Sequence, residues 1–135
     1  MTAKVLFTGK TRITGGRDGA ARSSDGHLDI RLAQPHPAAE HLFGAAWSTC
    51  FLGAIELAAS QRKITLSSVP TVDAEIDLNR DGARGVQGYF LRARLNVSLP
   101  DLDREIAQTL VEAAHEICPY SKATRGNIDV ETTLV

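Results

Sequence analysis

The two cysteines, Cys50 and Cys118, are the residues of this chain whose types and positions suggest chemistry most directly. Cys50 lies inside an apolar segment that predicts a helix, and Cys118 stands at the end of a second predicted helix, directly before Pro119. Cytosolic thiols are normally kept reduced, so this pair favours redox chemistry over a structural disulfide. For each cysteine considered alone, a small buried hydrophobe is the alternative interpretation.

The reactivity of Cys50 depends on its electrostatic surroundings. Burial raises the pKa of a thiol, so a nearby cation is needed to favour the reactive thiolate. Cys118 is predicted at the negative end of a helix dipole, which disfavours a thiolate and suits a thiol that resolves rather than attacks. His115 could be a base or a ligand, although a partly exposed helical histidine is the simpler interpretation.

The length, charge and motifs of the chain restrict the classes of function that are possible. We expect one domain over residues 1–135. The chain has 15 Lys and Arg residues against 16 Asp and Glu residues, so its net charge of -1 offers no basic excess for nucleic acid. C-x-x-C and H-E-x-x-H motifs are absent, and the four histidines are scattered, which predicts neither a metal site nor a bound cofactor.

The hydropathy pattern argues against export and membrane insertion. The N-terminus lacks the features of a secretory signal, so we expect a cytoplasmic protein. The longest apolar stretch, residues 42–55, is shorter than the roughly 20 residues that cross a bilayer, and it predicts a core helix.

Strand signals and helix signals fall in separate parts of the chain, which predicts an α+β fold. Residues 4–14 and 27–32 predict strands of an antiparallel meander, and residues 71–79 and 88–99 predict a hairpin that turns at Asp81-Gly82. A closing strand is predicted at 127–135.

Two helices are predicted, and the first suggests a dimer. A helix over about 38–60 is apolar nearly all the way round, so it should be buried on most sides, which a chain this small can hardly achieve alone. Asp101 is predicted to cap the second helix, and Pro119 to end it.

Five groups of residues form a pattern that covers nearly the whole chain. They are 14–19 (Thr-Gly-Gly-Arg-Asp-Gly), 23–26 (Ser-Ser-Asp-Gly), 40–43 with 48–51 (Glu-His-Leu-Phe and Ser-Thr-Cys-Phe), 99–104 (Leu-Pro-Asp-Leu-Asp-Arg) and 118–127 (Cys-Pro-Tyr-Ser-Lys-Ala-Thr-Arg-Gly-Asn). The last group is the most specific. Together they resemble the Ohr subgroup of the Ohr/OsmC family, the thiol-dependent organic hydroperoxide reductases.

The resemblance implies a fold, an activity and a set of site residues. The fold would have antiparallel sheets packed around a central buried helix in an intertwined homodimer. The activity would be reduction of alkyl or fatty-acid hydroperoxides through an intramolecular Cys50–Cys118 disulfide, recycled by an external dithiol, with lipoyl groups as the donor. Cys50 would be the peroxidatic thiol and Cys118 the resolving thiol, Arg17 the activating cation and Glu40 the carboxylate that holds it.

Two further expectations concern the surroundings of Cys50. Phe43, Trp47 and Phe51 would form apolar walls of a substrate pocket, and Trp47, which stands where the family usually has tyrosine, is expected not to touch the chemistry. Glu40 and Cys50 on one straight helix would be roughly 15 Å apart. We therefore expect Glu40 to reach the site across a dimer interface.

Three alternatives stay open. One is an osmotically induced OsmC-type peroxidase with related chemistry. Another is a general dithiol-disulfide oxidoreductase, disfavoured by the missing C-x-x-C spacing. The third is a non-enzymatic ligand-binding dimer whose cysteines are merely buried.

Overall fold

The structure is a computed structural model that describes residues 3–32 and 39–135. The chain divides into two compact units, Met1–Leu42 and Phe43–Val135, which are described separately below. The prediction of one domain over residues 1–135 stays a prediction.

The first unit contains a three-stranded antiparallel meander. Strands β1 (Thr11–Thr14), β2 (Ala20–Ser23) and β3 (Asp29–Arg31) pair in chain order, with Thr14 opposite Ala20. The predicted meander is therefore confirmed, but its strands are shorter than predicted, and residues 4–10 are not part of one. Val5, Leu6 and Phe7 are 80–88% exposed, so this β-prone segment lacks the neighbouring strand and apolar contacts that would stabilise a strand within one chain.

A tight glycine turn joins β1 to β2. Gly15 has a φ of 77°, which only glycine adopts without cost. A Cβ atom on Gly19 would lie 1.8 Å from the carbonyl oxygen of Thr14, so no larger residue fits there. This turn carries Arg17.

Helix α1 spans Ala39–Gln61, so its first turn belongs to the first unit and the rest to the second. The predicted helix at 38–60 is confirmed, except that residue 38 lies outside the described residues. By length and apolar composition alone α1 would suffice to cross a bilayer. Its fully buried residues Trp47, Phe51 and Ile55 instead form the centre of the second unit's core, as predicted for a core helix.

The second unit joins that helix to a mixed sheet and two further helices. Strands β4 (Thr71–Arg80), β5 (Tyr89–Ser98) and β6 (Asp129–Leu134) lie in the order β4-β5-β6. β4 and β5 are antiparallel, whereas β5 and β6 are parallel. The predicted α+β fold with two sheets and a central helix is confirmed, but the β5–β6 pairing is parallel rather than antiparallel. The chain crosses back through two helices between β5 and β6 and therefore enters β6 in the same direction.

Three local details also differ from the prediction. The β4–β5 connection is not a two-residue turn but a short 3₁₀ segment, Gly82–Gln87, in which the Asp81 carboxylate accepts a hydrogen bond from the Ala83 N–H. Helix α2 runs from Arg104 to Ile117 and begins after Asp103. The predicted cap Asp101 instead has a φ of 67° and accepts a hydrogen bond from the Ser68 hydroxyl.

Pro119 ends α2, as predicted, and it also starts a helix that was not predicted. Helix α3 spans Pro119–Thr124 with the proline in its first turn, where a missing N–H costs nothing. Cys118 is the single residue between α2 and α3.

One face of α1 is exposed in the single chain. It carries mainly small residues and one large apolar residue: Ala45, Ala46, Thr49, Gly53 and Leu57, the last 48% exposed. The expected burial of α1 on most sides is not reached within one chain, and the intertwined homodimer stays a prediction.

Candidate active site

Cys50 and Cys118 come together in the second unit. Cys50 lies partly buried in the middle of α1, and Cys118 is fully buried between α2 and α3. Cys118 lies close enough to Cys50 to raise the pKa of its thiol, and both cysteines are free. Two cysteines that are distant in sequence therefore stand within reach of each other.

The surroundings of Cys50 within this unit favour the protonated thiol. Burial is the main cause that raises its pKa, the neighbouring Cys118 raises it further, and a backbone hydrogen bond from Tyr120 lowers it only in part. A thiol with a raised pKa is a poor nucleophile near neutral pH. Reaction at Cys50 therefore requires an additional positive charge when the thiolate forms.

The backbone of Cys118 is fixed on both sides. Its N–H donates to the carbonyl oxygen of Ala114 at 2.8 Å, which closes α2, and its own carbonyl accepts from the N–H of Lys122 at 3.1 Å, which opens α3. The Cys118 sulfur can therefore move mainly by rotation of its side chain.

In the first unit, Arg17 and Glu40 form a two-pronged ion pair. Arg17 Nη1 donates to Glu40 Oε1 at 3.0 Å, and Nη2 donates to Oε2 at 2.9 Å. The hydrogen bond from Arg17 is the main cause that lowers the pKa of Glu40, and Glu40 in turn raises the pKa of Arg17. Such a bidentate pair fixes the plane and direction of the guanidinium.

The carboxylate that Arg17 binds belongs to its own chain, so this pair forms without a partner. Whether the pair acts on Cys50 of the same chain or of a second chain stays a prediction, as do the catalytic roles of Arg17 and Glu40.

The predicted pocket residues belong to the core in this structure. Trp47 and Phe51 are fully buried, while Phe43 is partly buried and meets Trp47 edge to face with ring centres 5.7 Å apart. Their role as walls of a substrate pocket stays a prediction.

Sequence reasoning missed a polar network beside the thiols. His115 packs on the ring of Phe51, its Nδ1 lies 2.8 Å from Ser121 Oγ, and its Nε2 lies 2.9 Å from Thr132 Oγ1. Trp47 Nε1 donates to the same Ser121 oxygen at 3.3 Å. The sequence signal for this network was the placement of His115 and Ser121 three residues before and after Cys118.

The surroundings of His115 favour its neutral form. Burial is the main cause that lowers its pKa, and the nearby Arg125 lowers it further against an opposing effect of Glu116. Its two neutral tautomers both fit the two hydroxyl partners. His115 is partly exposed on α2, as expected from the sequence, although both of its ring nitrogens have hydroxyl partners.

A cavity of about 460 Å³ opens beside this network. It is lined by Trp47, His115, Ser121, Thr124, Arg125, Gly126, Ile128, Val130 and Thr132. Within the two described stretches of the chain, no cluster of three or more His, Cys, Asp or Glu residues is arranged to hold a metal ion.

Comparison with known proteins identifies the family. Residues 32–133 match the family model described as OsmC-like protein. The organic hydroperoxide resistance protein of Xanthomonas axonopodis pv. citri is 39% identical over 140 residues, which cover 97% of this chain and 96% of that protein.

Solved structures agree with that match over nearly full length. The crystal structure of the organic hydroperoxide resistance protein OhrB of Bacillus subtilis is 41% identical with a TM-score of 0.87, covering 97% of this chain and 100% of that chain. A Vibrio cholerae structure, of a putative organic hydroperoxide resistance protein with captopril bound in one of the active sites, has a TM-score of 0.88 at 28% identity, covering 99% and 95%. The chain therefore belongs to the OsmC-like family and, within it, to the organic hydroperoxide resistance proteins.

Proposed function

We propose that this protein is a thiol-dependent peroxidase that reduces organic hydroperoxides to alcohols. The observation that carries the proposal is the pair of neighbouring free thiols, Cys50 and Cys118, in a chain of this family. The names of its relatives supply the substrate class, since the Xanthomonas protein and others are organic hydroperoxide resistance proteins.

The reaction begins at Cys50. Its thiolate attacks the distal oxygen of the hydroperoxide, the O–O bond breaks, and the alkoxide takes up a proton to leave as an alcohol. Cys50 is left as a sulfenic acid. Cys118 condenses with it to form a disulfide, and the sulfenic oxygen leaves as water.

Arg17 supplies the charge that Cys50 lacks. Its guanidinium stays protonated at any relevant pH, favours the thiolate and donates hydrogen bonds to the peroxide oxygens as the O–O bond breaks. Glu40 holds the guanidinium in one orientation through the bidentate pair. In this proposal Glu40 orients the guanidinium, and Arg17 stabilises the negative charge on Cys50 and on the peroxide oxygens.

An external dithiol completes the cycle. It opens the Cys50–Cys118 disulfide through a mixed disulfide and leaves both cysteines reduced. Lipoyl groups are the proposed donor, since their two thiols close into a ring as they transfer two electrons. No bound cofactor takes part.

The substrate class follows from the apolar surroundings of the thiols. Phe43 and Leu52 lie partly buried on α1 near Cys50. Apolar walls favour alkyl or fatty-acid hydroperoxides over hydrogen peroxide, because they gain free energy by burying hydrocarbon. Captopril in an active site of the Vibrio cholerae relative supports a site that admits small organic molecules.

The proposed working form is a cytoplasmic homodimer. The exposed apolar segment Val5–Leu6–Phe7 and the exposed face of α1 support association of two copies. The cytoplasm fits chemistry that needs cysteines returned to the reduced state.

The replacement of Cys50 by serine tests this function. We expect Cys50→Ser to abolish turnover of cumene hydroperoxide with dihydrolipoamide. Cys118→Ser, the matched control, should still release one alcohol per chain in a first turnover before it stalls. Turnover by Cys50→Ser would remove Cys50 from the mechanism. A wild type without turnover, whose ligand affinity is unchanged by Cys50→Ser, would leave a ligand-binding dimer as the better explanation.

The choice of peroxide and reductant separates the remaining alternatives. A general dithiol-disulfide oxidoreductase would exchange disulfides in protein substrates without any hydroperoxide. An OsmC-type enzyme would differ in preferred substrate. We expect cumene hydroperoxide to be reduced with a higher kcat/KM than hydrogen peroxide, and parity between the two would count against the apolar site.

A further inference from the structure

A buried hydroxyl group links the structural elements that carry the two cysteines. The Ser121 side chain, in a residue that is 4% exposed, accepts a hydrogen bond from Trp47 Nε1 at 3.3 Å and lies 2.8 Å from His115 Nδ1. His115 in turn lies 2.9 Å from Thr132 Oγ1 on β6. Ser121 therefore joins α1, α2 and α3 at one point, and His115 ties that point to the sheet.

Each helical residue of this network lies three positions from a cysteine in the sequence. Trp47 precedes Cys50 by three residues on α1, His115 precedes Cys118 by three, and Ser121 follows Cys118 by three. Three residues are close to one helical turn, so Trp47 lies next to Cys50 on α1. His115 on α2 and Ser121 on α3 each lie about one turn from the Cys118 junction. The network thus connects the backbone at Cys50 with the backbone on both sides of Cys118.

Such a connection matters for the formation of a disulfide. The bond requires a sulfur–sulfur distance of about 2.05 Å and Cβ atoms about 3.5–4.5 Å apart. The backbone of Cys118 is fixed by its hydrogen bonds to Ala114 and Lys122, so side-chain rotation must close the remaining gap. The distance between α1 and the α2–α3 junction must therefore be correct before the reaction begins.

We propose that Ser121, held by Trp47 and His115, is a positioning residue for the resolving step. In that step the Cys118 sulfur attacks the sulfenic sulfur of Cys50, the S–S bond forms, the S–O bond breaks, and the oxygen leaves as water with the thiol proton. This inference rests on the proposed function. From the sequence, Trp47 was expected not to touch the chemistry. In this proposal it acts on the resolving step indirectly, through the hydrogen bond from its indole N–H to Ser121.

A competing reaction makes the role of Ser121 measurable. If Cys118 is misplaced, the sulfenic acid persists, and a second hydroperoxide oxidises it to sulfinic acid with release of a second alcohol. The ratio of disulfide to sulfinic acid at a given peroxide concentration therefore reports the speed of the resolving step. Loss of stability alone leaves this ratio unchanged in the protein that is folded.

The test treats reduced protein with increasing cumene hydroperoxide in the absence of a reductant, and mass spectrometry measures the disulfide and sulfinic fractions. For Ser121→Ala we expect half of the protein to become sulfinic at a peroxide concentration roughly ten- to hundredfold lower than for the wild type. The first alcohol should be released at close to the wild-type rate. Val97→Ala, which truncates a fully buried core residue on β5, should keep the wild-type ratio.

A second variant covers the case in which Ser121→Ala fails to fold. Trp47→Phe keeps an aromatic side chain but removes the N–H that Ser121 accepts, so it should shift the ratio in the same direction by a smaller factor. Wild-type ratios in the folded variants would overturn the positioning role. Failure of the proposed function would look different, because the wild type itself would then form no disulfide.

Discussion

Arg17 is the residue on which ionisation of Cys50 depends in this mechanism. Burial and Cys118 raise the pKa of Cys50, so a cation has to offset both effects. We expect Arg17→Ala to raise the thiol pKa and to lower kcat/KM by about 10²-fold or more, the usual cost of removing one donor to a developing negative charge. The pH dependence of Cys50 alkylation, measured in the Cys118→Ser background, gives the thiol pKa.

Two milder variants of the ion pair are matched controls. Arg17→Lys keeps the charge but loses the bidentate geometry, and Glu40→Gln keeps the shape but loses the negative charge. For both variants, the Cys50 thiol pKa and kcat/KM should lie between those of the wild type and those of Arg17→Ala. An unchanged Cys50 pKa in Arg17→Ala would remove Arg17 from the mechanism.

His115 gives the protein a predictable dependence of stability on pH. Burial lowers its pKa in the folded state, so below its unfolded value of 6.5 the unfolded chain binds a proton that the folded chain resists. The free energy of unfolding should therefore fall as the pH drops from about 6.5 through the folded pKa, with a slope of at most about 1.4 kcal/mol per pH unit. Urea denaturation at a series of pH values measures this slope.

The variant His115→Gln isolates this contribution. This variant lacks the titrating ring, so its free energy of unfolding should change less over the same pH range. The carboxylates with lowered pKa values, Asp25, Glu40 and Asp77, lose their stabilising effect only at more acidic pH, below their ordinary values of 3.8 to 4.5. Equal slopes in wild type and variant would show that His115 is not the group responsible.

Among the structural elements, the β1–β2 turn has the clearest test because it presents Arg17. A Cβ atom on Gly19 would collide with the Thr14 carbonyl oxygen, whereas one on Gly16 would meet nothing within 4 Å. We expect Gly19→Ala to distort the turn and to lower peroxidase activity nearly as much as Arg17→Ala. Gly16→Ala should keep most of the activity, and equal effects of the two alanines would show that the turn does not position Arg17.

The elements also show what the sequence could predict and why some features escaped. Helix α1 and strands β4 and β5 follow from local periodicity, and their predicted bounds agree closely with the structure. The parallel pairing of β6 depends on how the chain crosses between strands, which local patterns do not encode. Helix α3 was missed because Pro119 was interpreted only as a stop, although proline equally favours a first helical turn.

In the candidate site, too, some features could be predicted from the sequence and others depended on tertiary packing. Cys50, Cys118, Arg17 and Glu40 were selected by residue type and by family resemblance, and the contact between the two thiols needed the packing of α1 against the α2–α3 junction. Ser121 and Thr132 were missed because hydroxyl side chains are common, and only their distances to His115 distinguish them.

The whole molecule is predicted to be a dimer that buries the exposed face of α1. Gly53 lies on that face, and a Cβ atom added to it would meet no neighbouring atom within 4 Å. An arginine therefore fits at this position in the single chain. In a dimer its charge would be buried in an apolar interface, which is costly. We expect Gly53→Arg to sediment as a monomer with much reduced activity. Thr109→Arg, at an exposed site on α2, should stay dimeric. A wild-type protein that sediments as a monomer would contradict the dimer.

The reaction of the two thiols with a single equivalent of substrate tests the central claim most directly. Reduced protein is mixed with one equivalent of cumene hydroperoxide, free thiols are blocked by alkylation, and peptide mass spectrometry locates the modified cysteines. We predict one alcohol per chain and a disulfide between Cys50 and Cys118 with neither thiol alkylated. Recovery of both cysteines in alkylated form, with the hydroperoxide intact, would contradict the proposed peroxidase.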